Sequence, residues 1–368
     1  MKPFYVFILI LFSVYNCDSQ VKIKNAESRL STKIENKSIV SILEGNISIF
    51  PNKFQVSIAI INGDNTEYIG VIRKNDTLIT INNKNSVFEI GSISKVFTSV
   101  LFSNLIHDNK ISLDETLSNQ FDFNLKNVKN IQLYQLANHT SGLPRLPENI
   151  MPLLATNQSN PYKYYTPKLL ESYLKDDLTL QYPTGEKNVY SNLGAGLLGY
   201  ILTLKSNKAY EELLKDNILK PLKMNQSYSL SIDNKNVVRG LNQNGTPASN
   251  WDFTNVFVGA GGIKSTTNDM VKFARKNFEN DSIYNLPQQP TFTINSSLKM
   301  GLGWHISKDG DNEFLWHNGG TGGYRSCFAI DKLNKKGVVV LSNISGMDAS
   351  SGKIDTLCFQ LLKNITHR

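Results

Sequence analysis

The sequence predicts an α/β fold of the α+β type. One antiparallel sheet is assembled from both ends of the chain and flanked by helices, with a mostly helical part inserted between them. Three observations predict it. Strand-like runs cluster before residue 92 and return near the C-terminus. Between about 110 and 250 the texture is helical, broken by Pro- and Gly-rich loops. No internal repeat or low-complexity linker divides the 368 residues, and 40% hydrophobic content suffices for a large core.

The elements follow in chain order. "MKPFYVFILILFSVYNCDSQ" has one Lys, an apolar run to about Val14, then small and polar residues. That pattern predicts a signal peptide over residues 1–19, too short for a comfortable bilayer span. Cleavage after Ser19 would release a periplasmic or secreted protein. Lipidation of Cys17 would anchor it to a membrane, although "VYN" is a poor lipobox. A polar lead-in and a helix follow in "NAESRLSTKIENKSIVSILEG". "FQVSIAIING" and "EYIGVIRKN", joined through Gly63-Asp64-Asn65, predict a hairpin. "SVFEIG" is a short strand. Ser92 to about His107 carries apolar residues at 96, 97, 100, 101 and 105, a helical period. "KLLESYLKDD", "GAGLLGYILTL" and "KAYEELLKDNIL" are the helices of the inserted part. A Gly-rich loop then opens another helix in "GAGGIKSTTNDMVKFARK". "KMGLGWHIS", "NEFLWHNG", "YRSCFAID" and "KGVVVLSN" are strands, and "GKIDTLCFQLLKN" is a closing amphipathic helix. The expected organisation is one domain over 20–368. Its α/β part comprises 20–109 and 255–368, and 110–254 is its helical part.

Composition narrows the function. The net charge is +8, with 39 Lys and Arg against 31 Asp and Glu. The Lys residues are scattered among Asn and Glu, with no basic run, which argues against nucleic acid as a partner. His107, His139, His305, His317 and His367 are dispersed without ligand spacing, so neither a metal nor another cofactor is expected. Beyond the leader, Cys327 and Cys358 pair only if their backbones come close.

Three clusters carry candidate chemistry. Ser-x-x-Lys occurs four times, at Ser92/Lys95, Ser172/Lys175, Ser296/Lys299 and Ser350/Lys353. Only the first follows a strand and a Gly and opens an apolar-periodic helix. There, residues three apart share a face, and a core-packed Lys loses its proton more readily than one in water. A neutral amine then accepts the serine proton. The second cluster is Tyr190-x-Asn192, ahead of a Gly- and Leu-rich helix. It offers a phenol for proton transfer and an amide for a substrate carbonyl or the lysine. The third is His317-Asn318-Gly319-Gly320, where a strand edge with glycines admits a ligand and offers main-chain N–H groups to an oxyanion. Taken singly, each also reads as ordinary structure: a capping Ser with a solvated Lys, a packed Tyr with a capping Asn, a glycine-rich turn.

Together, and in this order, the clusters resemble the serine β-lactamase-like superfamily. It includes class C β-lactamases, low-molecular-weight penicillin-binding proteins, D-aminopeptidases and related esterases. "LANHTSGLP", "DNILKPLKM", "GAGGIKSTTNDMVKF" and "GVVVLSN" are similar to further family segments, with Lys223 where Gly is usual. The resemblance covers most of residues 50–365. It implies a β-lactamase/transpeptidase-like fold and Ser92 as the acylated nucleophile. It implies Lys95 as the proton partner, Tyr190 as the acid–base residue and Asn192 as the substrate-contacting amide. His317-Asn318-Gly319 takes the place of the third motif, and Ser92 and Gly320 supply the oxyanion N–H groups. His317 stands where β-lactamases carry Lys, and the Arg expected after the last strand has no match in "NISGMDASSGK". Arg325 and Arg145 are the candidate replacements. These departures favour the peptidase and esterase branches, acting on a small-molecule or peptide substrate such as a peptidoglycan stem peptide. A class C-type β-lactamase and a non-hydrolytic penicillin-binding sensor remain the alternatives.

Overall fold

A computed structural model describes residues 25–126, 130–230, 234–254 and 256–366. The signal peptide expected over 1–19, with Cys17, lies outside the described residues.

Ten strands form one sheet in the order β1-β4-β3-β2-β12-β11-β10-β9-β8-β7. They are β1 (Glu27–Ser28), β2 (Gln55–Asn62), β3 (Asn65–Lys74), β4 (Thr77–Ile81), β7 (Phe292–Asn295), β8 (Leu298–Met300), β9 (His305–Asp309), β10 (Asn312–Gly320), β11 (Arg325–Asp331) and β12 (Lys336–Ser342). A separate pair, β5 (Phe88–Glu89) and β6 (Lys264–Ser265), lies in register Glu89↔Lys264. All pairings in the large sheet are antiparallel except β1 with β4. N- and C-terminal strands meet where β2 pairs with β12, Asn62 opposite Lys336 and Val56 opposite Ser342. This is the sheet built from both ends of the chain that the sequence predicts.

Helices cover both faces. On one, α1 (Lys37–Ile47) and α11 (Gly352–Thr366) pack Leu43, Ile47, Leu357 and Leu361 against Val56, Ile58, Val338 and Val340. On the other, Ala59, Ile61, Val339 and Leu341 join the core cluster that holds Met270, Phe273 and Ala274 of α9 (Thr267–Phe278). Burial on both sides explains why "GVVVLSN" and "QVSIAII" read as continuous apolar runs rather than alternating ones. Segment 110–254 supplies α3 (Leu133–Ala137), α4 (Met151–Thr156), α5 (Pro167–Ser172), α6 (Asn192–Ser206) and α7 (Tyr210–Leu214). α8 (Val258–Gly261), α9 (Thr267–Phe278) and α10 (Ser282–Asn285) follow.

α2 (Ser94–His107) runs through the middle, and it differs from the amphipathic helix its sequence predicts. Residues from Ser94 to Ser103 are all buried. Its hydroxyls turn inward to carbonyls: Thr98 Oγ1 donates to Ser94 O and Gly259 O, and Ser99 Oγ to Lys95 O. A polar face can therefore be packed without leaving donors unpaired. β4 was also hidden in the sequence. Its hairpin turn is Asn75-Asp76, both with positive φ, which suits a primed turn without the usual glycine.

Candidate active site

The chain enters α2 through a tight turn. Strand β5 ends at Glu89, Gly91 takes φ +52°, and Gly91–Ile93 form a single 3-10 turn carrying Ser92. Lys95, the second residue of α2, lies one turn beyond Ser92 and is only 2% exposed. Its Nζ has three neighbours: Ser92 Oγ at 3.0 Å, Asn192 Oδ1 at 3.0 Å and Ala260 O at 2.7 Å. Two of these are carbonyl oxygens, which only accept. A neutral amine has two N–H groups and one lone pair. Once it donates to both carbonyls, its lone pair faces the Ser92 hydroxyl. Burial, then the Arg145 cation, holds the Lys95 ammonium well below the ordinary lysine range. The three contacts fit an ammonium with three donors as well as a neutral amine, and it is burial that favours the neutral form. The capping-Ser, solvated-Lys reading of this pair does not describe it.

Tyr190 and Asn192 arrive from the start of α6. Ser191 is the N-cap, its Oγ accepting from Gly194 N at 2.9 Å and donating to Pro144 O at 2.7 Å. That leaves Asn192, the first helical residue, free to reach Lys95. The Tyr190 ring lies 4.7 Å from Lys95 Nζ and 5.2 Å from the Arg145 guanidinium, with the His139 ring at 4.4 Å. Burial pushes its phenol up to about 12, against the downward pull of the Ser92 hydroxyl. It is therefore protonated at neutral pH, with a proton to donate.

Strand β10 closes the other side. Gly319 runs so near the Ser92 turn that a Cβ there would sit 2.0 Å from Ile90 O. A Cβ on Gly91 would sit 2.7 Å from Gly320 N. Ser326 Oγ, across from Gly319 on β11, donates to Ile90 O at 2.8 Å and ties the turn to the sheet. The Gly320 main chain is thereby carried beside the turn that holds Ser92.

These groups line a cleft of about 480 Å³. Ser92, Tyr190, Asn192, Asn318, Gly319 and Gly320 all face it, whereas Lys95 lies beneath. His317 does not line it. Its ring is 1% exposed and packed beneath the cleft, 6.3 Å from the Tyr190 ring and edge-on to His305 at 5.1 Å, with Nδ1 2.6 Å from Asn318 O. Burial and the His305 and Lys95 neighbours hold it well below the usual histidine range, so it offers no cation to a substrate. A larger cavity, about 780 Å³, lies elsewhere among Phe278, Gln288, Leu315 and Lys332 and contains none of these groups.

Sequence reasoning missed several residues at the cleft. Tyr162 stacks on Phe253 at 4.9 Å and meets Trp251 edge-on at 5.5 Å, and Tyr162 and Trp251 form an aromatic wall. "NWDF", two aromatics in a polar loop, was the available signal. Asp355 of α11 accepts from Asn318 Nδ2 at 3.0 Å and binds Arg325 through both its oxygens. Its signal was an acid beside the apolar stripe of the last helix. Glu89 is 3% exposed under the Trp251 loop, accepts from Trp251 N at 2.8 Å, and is raised by burial to about 7 despite Lys264.

Comparison with known proteins gives the same direction. The Beta-lactamase family model matches residues 55–360. A β-lactamase of Yersinia enterocolitica is 26% identical over 239 residues, 61% of this chain and 57% of that protein, so the match spans little more than half of that relative's length. The D-alanyl-D-alanine-carboxypeptidase/endopeptidase AmpH of Escherichia coli K12 is 26% identical over 314 residues, 76% of this chain and 77% of that one. Among solved structures, the β-lactamase/D-alanine carboxypeptidase of Pseudomonas syringae superposes with a TM-score of 0.72 at 18% identity, covering 89% of this chain and 96% of its own, a likeness of fold. With most of its length matched by the family model, the chain belongs to the beta-lactamase family.

Proposed function

We propose that this protein is an exported serine acyl-hydrolase working through an acyl-Ser92 intermediate. Its kind is that of the D-alanyl-D-alanine carboxypeptidases, D-aminopeptidases or esterases. One observation carries the reading: Lys95 Nζ lies 3.0 Å from Ser92 Oγ while its other two contacts are carbonyl oxygens. Ser92 Oγ gives its proton to Lys95 and bonds to the substrate carbonyl carbon. The oxyanion is held by the main-chain N–H groups of Ser92 and Gly320, each donor of this type being worth about 10²–10³ in rate. The Tyr190 phenol passes a proton to the leaving group and is reprotonated from Lys95. Water then attacks the acyl-Ser92 ester by the reverse proton path and frees the acid. Asn192 steadies Lys95 and meets the substrate amide. The buried, neutral His317 supports the peptidase and esterase branches over a class C-type β-lactamase. We assign 20–109 and 255–368 to the α/β part and 110–254 to the helical part of one hydrolase domain. Residues 1–19 are assigned to a signal peptide, with Cys17 as an alternative lipid anchor. No helix among the described residues is long and apolar enough to cross a membrane.

The test is mass spectrometry of the intact protein after incubation with a lactam, a D-Ala-D-Ala peptide and a short-chain ester. An adduct that forms, turns over and is absent from Ser92→Ala is expected. An adduct retained in Ser92→Ala overturns the assignment. One that persists for hours supports the penicillin-binding sensor, and rapid turnover of the lactam alone supports the β-lactamase.

A further inference from the structure

Among the described residues, the walls of the cleft carry two cations, Arg145 and Arg325, and no carboxylate. Their situations differ. Arg325 is bound through Nε and Nη2 to both oxygens of Asp355, and Asn318 donates to the same carboxylate. Its charge is neutralised and its fork is occupied. Lys95 below is buried and disfavoured as a cation. Arg145 is exposed, lies over the Tyr190 ring at 5.2 Å and forms no ion pair among the described residues. Its main chain is fixed, because its carbonyl accepts from both Asn192 N and Leu193 N at the start of α6. An uncompensated guanidinium is therefore carried from a fixed stretch of backbone to the helical side of the cleft, across from the sheet edge.

We propose that Arg145 is a specificity residue that holds a substrate carboxylate on the Tyr190 side of the cleft, so that the site takes anionic acyl donors. The chemistry rests on the acyl-Ser92 reading, whereas the binding does not. Guanidinium and carboxylate match as a planar fork, which ammonium does not reproduce. Solvent exposure sets the expected gain at about tenfold rather than the larger value of a buried pair.

Binding is tested on Ser92→Ala, which has no acylating hydroxyl. Calorimetric titration compares an N-acetylated amino acid with its neutral amide. The acid should bind about tenfold more tightly. Adding Arg145→Gln should erase the preference, and Arg145→Lys should keep part of it. Catalysis is tested with three aryl esters: one neutral, one with a carboxylate on the acyl chain, one with it on the leaving phenol. In Arg145→Gln the charged-to-neutral ratio of kcat/KM should fall about tenfold for one charged ester, which identifies the half of the substrate that Arg145 reads. Equal affinity for acid and amide, or a preference that survives Arg145→Gln, overturns the proposal. If no ester acylates Ser92, the acyl-hydrolase reading fails and the binding result still decides this one.

Discussion

Gly319→Ala tests whether the approach of β10 to the Ser92 turn matters for chemistry. The new methyl would sit 2.0 Å from Ile90 O and 2.5 Å from Ser326 Oγ. Neither neighbour gives way cheaply. Ile90 O belongs to the turn itself, and Ser326 Oγ is committed to it by a 2.8 Å hydrogen bond. Strand and turn must therefore separate by about 1 Å, the scale of shift that costs about 10²-fold in rate when it misplaces a reacting group. Overpacking costs about 1–3 kcal/mol and the strained hydrogen bond about 1 kcal/mol more. The assay is pre-steady-state release of nitrophenol from an aryl ester, normalised to folded protein, with thermal unfolding in parallel. Gly352→Ala is the control, since a Cβ there meets nothing within 4 Å. Acylation by Gly319→Ala within about threefold of the parent, with no loss of melting temperature, would refute the argument that this contact sets the geometry.

Two further outcomes follow from charge. On the proposed mechanism acylation needs Lys95 neutral, so kcat/KM should rise with pH through the Lys95 ionisation. Burial is the main cause that lowers it and Arg145 the second, so Arg145→Gln should move this acid limb to higher pH, and a limb that stays or moves lower contradicts the electrostatic reading. Glu89 rises from 4.5 to about 7 on folding. Its protonated form is the stable one, so stability is full below pH 4.5 and is lost as pH rises to about 7, by about 3 kcal/mol. Glu89→Gln should flatten that fall in chemical denaturation across this window. An unchanged slope would show that another group titrates there.

Much of this arrangement was legible before any coordinates. Period and turn chemistry located the strands that pair across the chain ends, because a strand buried on both faces must be apolar throughout, as "GVVVLSN" is. Ser92 and Lys95 stood out from the three other Ser-x-x-Lys copies because only they followed a strand and a glycine at the start of a helix. His317 shows the limit. Its place in the third motif was readable, but its ring is buried beneath Tyr190 and beside His305 rather than on the cleft wall, and sequence does not say how deeply a strand side chain is covered.

The chain alone determined which residue types were available and in what order: a hydroxyl, an amine, a phenol and a glycine-rich strand end, on elements whose periods are local properties of the backbone. Tertiary structure decided their burial and their partners. Asn192 Oδ1 and Ala260 O reach Lys95 from positions 97 and 165 residues away, and both accept from its Nζ. Asp355 takes Arg325 out of play and leaves Arg145 unpaired by any described residue. Desolvation and contact distance depend on what lies nearby in space, and no local pattern along the chain encodes that.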